Sequence, residues 1–409
     1  MSAKKYDVYA IGNAIVDYEI EVDNTFLSLN GLEKGLMTLS DQDRQRDLLR
    51  AAKSNIIKKQ AGGSVANSMV ALAQLGGKGF YSCKVASDID GRFYRDDLVK
   101  QGVDTNLFDG KLDDGETGKC LVMITPDAER TMSTFLGISS NLSLSELHLD
   151  QLEDSHYLFL EGYLVSSPTG LGAMKEAKKR AKAAGTQIAL TFSDPSMVKY
   201  FGEQMDEVVG DGVDLLFCNE QEAKLYTGTD DLSQAIDNLK KITKSYVITL
   251  GSKGSEIWDG KNTYYIDAVK TQAVDTTGAG DIYAGAFLYG INYGLSFEVA
   301  GNLASLAASQ VVSQYGPRIK KSKIQSQSIV GLGITGNMVG FWSINNKNKP
   351  VRNAILWNDT RSQKIFTNKK IFDQIYKITG SITQYGCTIP ILKWMTKFES
   401  ENLKKIKYI

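Results

Sequence analysis

The apolar positions of this chain fall into two alternating patterns. Short, nearly continuous apolar runs such as Tyr6–Gly12 predict strands buried on both faces. Runs with apolar positions every three or four residues predict helices, as at Val65, Met69, Leu72 and Leu75 with Ser64 as the N-cap. From 156 to 260 the two patterns take turns. Strands are predicted at 156–162, 187–193, 213–217 and 245–250, and helices at 167–184, 196–208, 219–227 and 231–243. A last helix is predicted from about 296 to 314. Such βα repetition predicts a parallel sheet flanked by helices, with ligands bound beyond the carboxyl ends of its strands. Residues 105–137 instead carry alternating strand patterns, such as Gly118–Ile124 and Thr131–Phe135, around a turn at Pro126–Thr131. Together with residues 17–24 they predict a small projecting sheet, a lid able to exclude water.

Composition narrows the possibilities. The chain has 409 residues, 42% hydrophobic and 23% charged, with 47 basic and 47 acidic side chains. That balance offers no basic excess for nucleic acid or an anionic membrane. The four cysteines have neither pairing nor metal spacing, which suits a reducing cytoplasm. With only His148 and His156, a histidine metal site or a Ser/His triad is not expected. No apolar run reaches the roughly 18 residues of a spanning helix.

Candidate chemistry gathers at glycine-rich turns. In Asp275-Thr276-Thr277-Gly278-Ala279-Gly280-Asp281 a Gly-Ala-Gly turn leads into an apolar helix from Ile282. Unpaired amides and the positive helix end make an anion site there. A carboxylate at its mouth, Asp281, makes sense if a substrate hydroxyl lies between it and a phosphate and gives up its proton. The plainer alternative is a glycine turn with an acidic helix start. Gly62 and Gly63 allow close backbone approach or hinge motion, and Asn67 is a poor helix former in a first turn. Asn13 and Asp17 follow the first strand, where the plain reading is a turn Asn and a solvated Asp. Asn219 and Glu222 fit an N-cap with an acidic first turn. Thr249, Gly251 and Gly254 form a loop whose spacing is not that of a Walker A sequence.

These strings, in this order, resemble the ribokinase-like (PfkB) sugar and nucleoside kinases over about residues 4–318. The resemblance rests on Asp275, Thr277, Gly278, Ala279, Gly280, Asp281, Ala284, Gly285 and Phe287, with Gly62-Gly63 and Asn67, the N-x-x-E of Asn219 and Glu222, and the T-x-G-x-x-G of Thr249 to Gly254. It implies an α/β three-layer fold, a mostly parallel sheet and a β lid drawn from about 13–40 and 105–137. It also implies Asp281 as catalytic base and Gly278 to Gly280 as the anion hole. Substrate contact falls to Asn13, Asp17, Gly62, Gly63 and Asn67. Thr249, Gly251, Gly254, Asp275, Thr277 and Asn302 would face ATP, with Asn302 beside the adenine or simply structural. Asn219 and Glu222 would organise Mg²⁺ through water. Arg130 would reach the phosphates or be a surface charge. A monovalent cation is a further candidate. The strings from Ala10 to Asp17 and around Arg130 look most like adenosine-kinase-type members, which implies phosphorylation of a nucleoside primary hydroxyl, adenosine first. A fructokinase-type sugar kinase and a non-catalytic nucleotide- or sugar-binding protein are the competing readings. The expected partner is a small nucleoside or sugar, in the cytoplasm, as a monomer or homodimer.

The tail breaks the pattern. Arg318 to Ser328 is basic and polar, a linker composition, so the first domain is bounded at 318 and the linker at 319–328. Gly331 to Gly336 fits G-x-G-x-x-G, but a strand-like run, Met338–Ile344, follows where a dinucleotide site needs a helix. Residues 329–409 resemble instead the start of an FGGY carbohydrate kinase, at Gly333–Met338, at Pro350 and Ala354–Arg361, and at Pro390–Met395. That family's phosphate loop and catalytic Asp have no counterpart here, so the tail is expected to lack catalysis and to expose Trp342, Trp357 and Trp394.

Overall fold

In the computed structural model, the strand at Tyr6–Ile11 shows how the sequence builds the sheet. Val8, Tyr9, Ala10 and Ile11 are all fully buried. Val8 and Ala10 join one apolar cluster, Tyr9 and Ile11 another. A strand with two buried faces belongs between two helical layers. The structure describes residues 4–127, 129–319, Gly340–Phe341, Ile355–Leu356 and 395–405. The chain divides into two compact units, 1–321 and 322–409.

The strands of the first unit run β1 (Tyr6–Ile11), β2 (Ile15–Glu21), β3 (Met37–Leu39), β4 (Ile56–Gly62), β5 (Gly79–Ser82), β6 (Asp104–Thr105), β7 (Thr117–Ile124), β8 (Arg130–Gly137), β9 (Ser155–Glu161), β10 (Gln187–Thr191), β11 (Leu215–Asn219), β12 (Tyr246–Thr249), β13 (Ser255–Trp258) and β14 (Thr263–Ile266). Nine make the main sheet, in the order β14-β13-β12-β11-β10-β9-β1-β5-β6. All neighbours pair parallel except β12 with β13 and β13 with β14. The helices Ser64–Gln74, Ala279–Asn292 and Phe297–Val312 bury their apolar residues in the Val8 cluster, and Pro168–Ala184 does so in the Tyr9 cluster. This is the mixed α/β ribokinase-like architecture.

The second sheet has the order β3-β8-β7-β2-β4. The core under its helix is small: Ile20, Val22, Leu27, Leu48, Ala52, Leu121 and Met123. The helix Gln42–Ala52 covers it, capped by Asp41, which accepts from the Arg44 amide at 2.8 Å. β4 enters from outside the ranges 13–40 and 105–137. Its Ile56-Ile57-Lys58-Lys59-Gln60 lacks apolar alternation, and Ile57 is half exposed. What pairs it is the backbone ladder to β2, with Asp17 opposite Gln60. The helix expected over 196–208 is two, Pro195–Tyr200 and Gly202–Val209, because Phe201 leaves helical geometry.

In the second unit Gly340–Phe341 pairs antiparallel with Ile355–Leu356, Met395 is buried, and Ser400–Lys405 is helical. Residues 320–328 of the expected linker, Trp342, Trp357, Trp394 and most of the FGGY-like strings lie outside the described residues.

Candidate active site

The helix Ala279–Asn292 starts two residues before Asp281, so the carboxylate stands in its first turn. Gly278 is the cap, at φ 77°, a left-handed conformation that glycine adopts without strain. A Cβ there would come within 2.5 Å of Pro317. A Cβ on Gly280 would meet nothing within 4 Å, so the turn faces open space. Among the described residues the amides of Gly280 and Asp281 have no acceptor. The turn therefore presents bare donors and the positive helix end to one spot.

Asp281 is held from two sides. Ser64 Oγ donates to its Oδ1 at 2.7 Å and Asn67 Nδ2 to its Oδ2 at 3.1 Å. Burial pushes its pKa up to about 6, against the pull of these two bonds. Ser64 is thus not an N-cap. Gly63, at φ 101°, holds the cap position, Ser64 is the first helical residue, and its hydroxyl is spent on Asp281. Asn67 in a first turn is explained the same way: its amide bridges Asp281 and, through Oδ1, the Nε of Arg318 at 3.0 Å.

Glu161 substitutes for the missing cap. It ends β9, is fully buried, and accepts from the amides of Asn13 and Val65. Burial raises its pKa to about 8, with backbone donors opposing and the Asp281 charge adding to the rise. Glu161, Ser64 and Arg318 were not among the sequence candidates. A carboxylate at the carboxyl end of an otherwise apolar strand, Tyr157-Leu158-Phe159-Leu160-Glu161, is a readable signal in retrospect. For Arg318 there is none, since Asn67 lies 251 positions away. Arg318 lies near the end of the first unit.

Asp17 lies on β2, against Gly62 on β4, where any Cβ would strike its carboxylate. Burial pushes its pKa up to about 7. Arg318 pulls it back, and Glu19 and Asp281 add to the rise. A Cβ on Gly63 would strike the Asn13 carbonyl. Both glycines are therefore required by close approach. Asn13 is buried, its Oδ1 accepting from Ser139 Oγ at 3.1 Å. Asn13, Asp17, Gly62, Gly63, Asn67 and Asp281 are thereby gathered in one place.

The other candidates are arranged more locally. Arg130 Nη2 sits 2.8 Å from Asp275 Oδ2, an ion pair between the lid hairpin and the anion turn. Asp275 also accepts from the amides of Thr277 at 3.0 Å and Gly316 at 2.9 Å. Asn219 and Glu222 form a complete capping box for the helix Glu220–Thr227. Burial raises the Glu222 pKa to about 7, and the Asp194 charge adds to it. Asn219 pairs with Thr249 across β11 and β12, which brings both to the carboxyl edge of the sheet. Gly251 and Gly254 have φ of 60° and 97° in the loop that follows. Asn302 is exposed and donates to the Glu298 carbonyl at 2.9 Å. No cluster of three or more metal-ligating side chains occurs among the described residues, and no helix there is long and apolar enough to cross a membrane.

The family described as pfkB family carbohydrate kinase matches residues 40–324, and the FGGY family of carbohydrate kinases, N-terminal domain, matches residues 306–409. The two overlap over 306–324, which includes Arg318. The structure of the adenosine kinase from Sinorhizobium meliloti is similar, with a TM-score of 0.70 and 37% identity, covering 77% of this chain and 96% of that one. A probable sugar kinase from Rhizobium etli CFN 42 gives 0.72 and 34%, covering 78% and 96%. The adenosine kinase of Saccharomyces cerevisiae is 25% identical over 337 residues, 77% of this chain and 97% of its own length. With these relatives and a family match over most of its length, the chain belongs to the pfkB family of carbohydrate kinases, phosphotransferases that act on the hydroxyl groups of sugars and nucleosides.

Proposed function

We propose that this chain phosphorylates the primary hydroxyl of a nucleoside, adenosine, with ATP as donor. The observation that carries the reading is Asp281 beside the bare amides of its own helix start, held there by Ser64 and Asn67. A carboxylate next to an anion site is costly unless a proton is to be taken between them. Asp281 would accept the proton of the attacking hydroxyl, and the Gly278–Gly280 turn would receive the transferring phosphoryl group. Asp17, a carboxylate with no donor among the described side chains, would hold the acceptor's other hydroxyls, and Asn13, Gly62 and Gly63 would shape its seat.

The nucleotide would lie along the other end of the sheet edge, over Thr249, Gly251 and Gly254, with Thr277 and Asp275 shaping the turn and Asn302 exposed nearby on its helix. The Asp194 charge acts on Glu222, so two carboxylates face this edge of the sheet and could share a divalent ion held through water. Asn219 and Glu222 would orient those waters. Mg²⁺ bound there would neutralise phosphate charge. Arg130, paired with Asp275, would tie the lid to the anion turn and offer its charge to the phosphates. Asp275 already has two amide donors and the Arg130 ion pair, so a monovalent cation near it would have to bind backbone oxygens.

The choice of adenosine is supported by the likeness to the Sinorhizobium enzyme. The likeness to the Rhizobium sugar kinase favours a second reading, a sugar acceptor. An ADP-release assay across nucleosides and sugars separates them. Turnover with adenosine is expected, and turnover confined to sugars would replace the nucleoside with a sugar acceptor.

A further inference from the structure

Arg318 follows the last helix of the kinase fold, where the two family matches overlap, and its side chain reaches into the site. Nε donates to Asn67 Oδ1 at 3.0 Å, and Nη1 bonds to Asp97 in the helix Ile89–Lys100. Nη2 is buried and has no acceptor among the described residues. An amide side chain can present either its oxygen or its nitrogen. Donation from Arg318 fixes the Asn67 oxygen toward the guanidinium and so turns Nδ2 toward Asp281. Lysine could supply the charge but not the planar fork that spans Asn67 and Asp97.

We infer that Arg318 is a positioning residue for the base: anchored by Asp97, its guanidinium locks the Asn67 amide against Asp281 and so holds the Asp281 carboxylate ionised and aimed at the acceptor hydroxyl. The inference rests on the reading of Asp281 as base. The groups around it are Ser64 and Asn67 as donors and Asp17, Glu161 and Tyr163 as titratable neighbours, with Arg318 the cation acting on Asp17. Loss of Arg318 removes the hold on Asn67 and weakens a bond that lowers the Asp281 pKa, so the titration of Asp281 moves to higher pH.

The test uses the full chain with Arg318→Ala and Arg318→Lys. Turnover of adenosine with MgATP is followed against pH, and the Asp281 carboxyl is titrated by carbon-13 NMR, assigned with Asp281→Asn. Arg318→Ala is expected to lower kcat about 10- to 100-fold, the effect of one lost hydrogen bond to a charged group. Its Asp281 titration should shift upward while the KM for ATP stays that of the wild type, and Arg318→Lys should restore little. Wild-type kcat with an unmoved titration would overturn the inference. If Arg318→Ala does not fold, Asp97→Asn releases the guanidinium from its other side and should shift the titration the same way, and no shift there overturns it too. Full turnover in Asp281→Asn would instead overturn the base itself, so the two failures are distinguishable.

Discussion

The two ends of the candidate site are built on different principles. At the proposed nucleotide end most of the bonds are local, Asn219 with Glu222, Asp275 with Thr277 and Asn302 with Glu298, although Asp275 also reaches along the chain to Arg130 and Gly316. At the acceptor end they come from far apart in the chain. Ser64 and Asn67 meet Asp281 across more than 200 positions, Glu161 meets Asn13 across 148, and Arg318 meets Asn67 across 251. Asp17, Glu161 and Asp281 all have raised pKa values there, each mainly through burial. Local motifs can be satisfied without a ligand. A cluster of one buried and two part-buried carboxylates is costly unless it has a task, which makes the proposed acceptor end the stronger sign of chemistry.

The largest effect should come from the base. Asp281→Asn should lower turnover by about 10²–10⁴-fold, the contribution of a general base, while calorimetry finds ATP affinity nearly unchanged. If the nucleotide end alone carried function, this variant would lose affinity instead of rate. Next in size is Asp17→Ala. Loss of a carboxylate that binds hydroxyls should weaken acceptor binding about 10- to 100-fold and leave ATP binding alone, as calorimetry with each ligand would report. Unchanged acceptor affinity would return Asp17 to a structural role beside Gly62.

The smallest effect is expected outside this comparison, from the tail. A chain ending at Ser328 keeps Arg318 and the whole first unit, so its activity and melting temperature should match those of the full chain. A truncated chain that lost either would show that residues beyond 328 serve the first unit.

What could be read from the sequence follows the same division. The βα alternation, the Asp275–Asp281 string and the Asn219 cap are local, and period and spacing reveal them. The role of Ser64 was hidden because a serine before an apolar helix reads first as a cap, and only the left-handed Gly63 shows the position to be taken. β4 was hidden because a lid strand pairs through its backbone, with lysines on a half-exposed face. Arg318 was hidden by its own neighbourhood: in a run of lysines and serines nothing local distinguishes a buried guanidinium from a linker charge.

The central claim is that Ser64 and Asn67 hold Asp281 as an ionised base, and the dependence of kcat/KM on pH tests it most directly. In this account Asp17 and Asp281 act ionised, so activity should fall as pH drops, first through the range of Asp17 at about 7 and then through that of Asp281 at about 6. Ser64→Ala removes a bond that lowers the Asp281 pKa and removes none made by Asp17. The lower step should therefore move to higher pH, toward the upper one. An acid limb in Ser64→Ala that superimposes on that of the wild type would contradict the account.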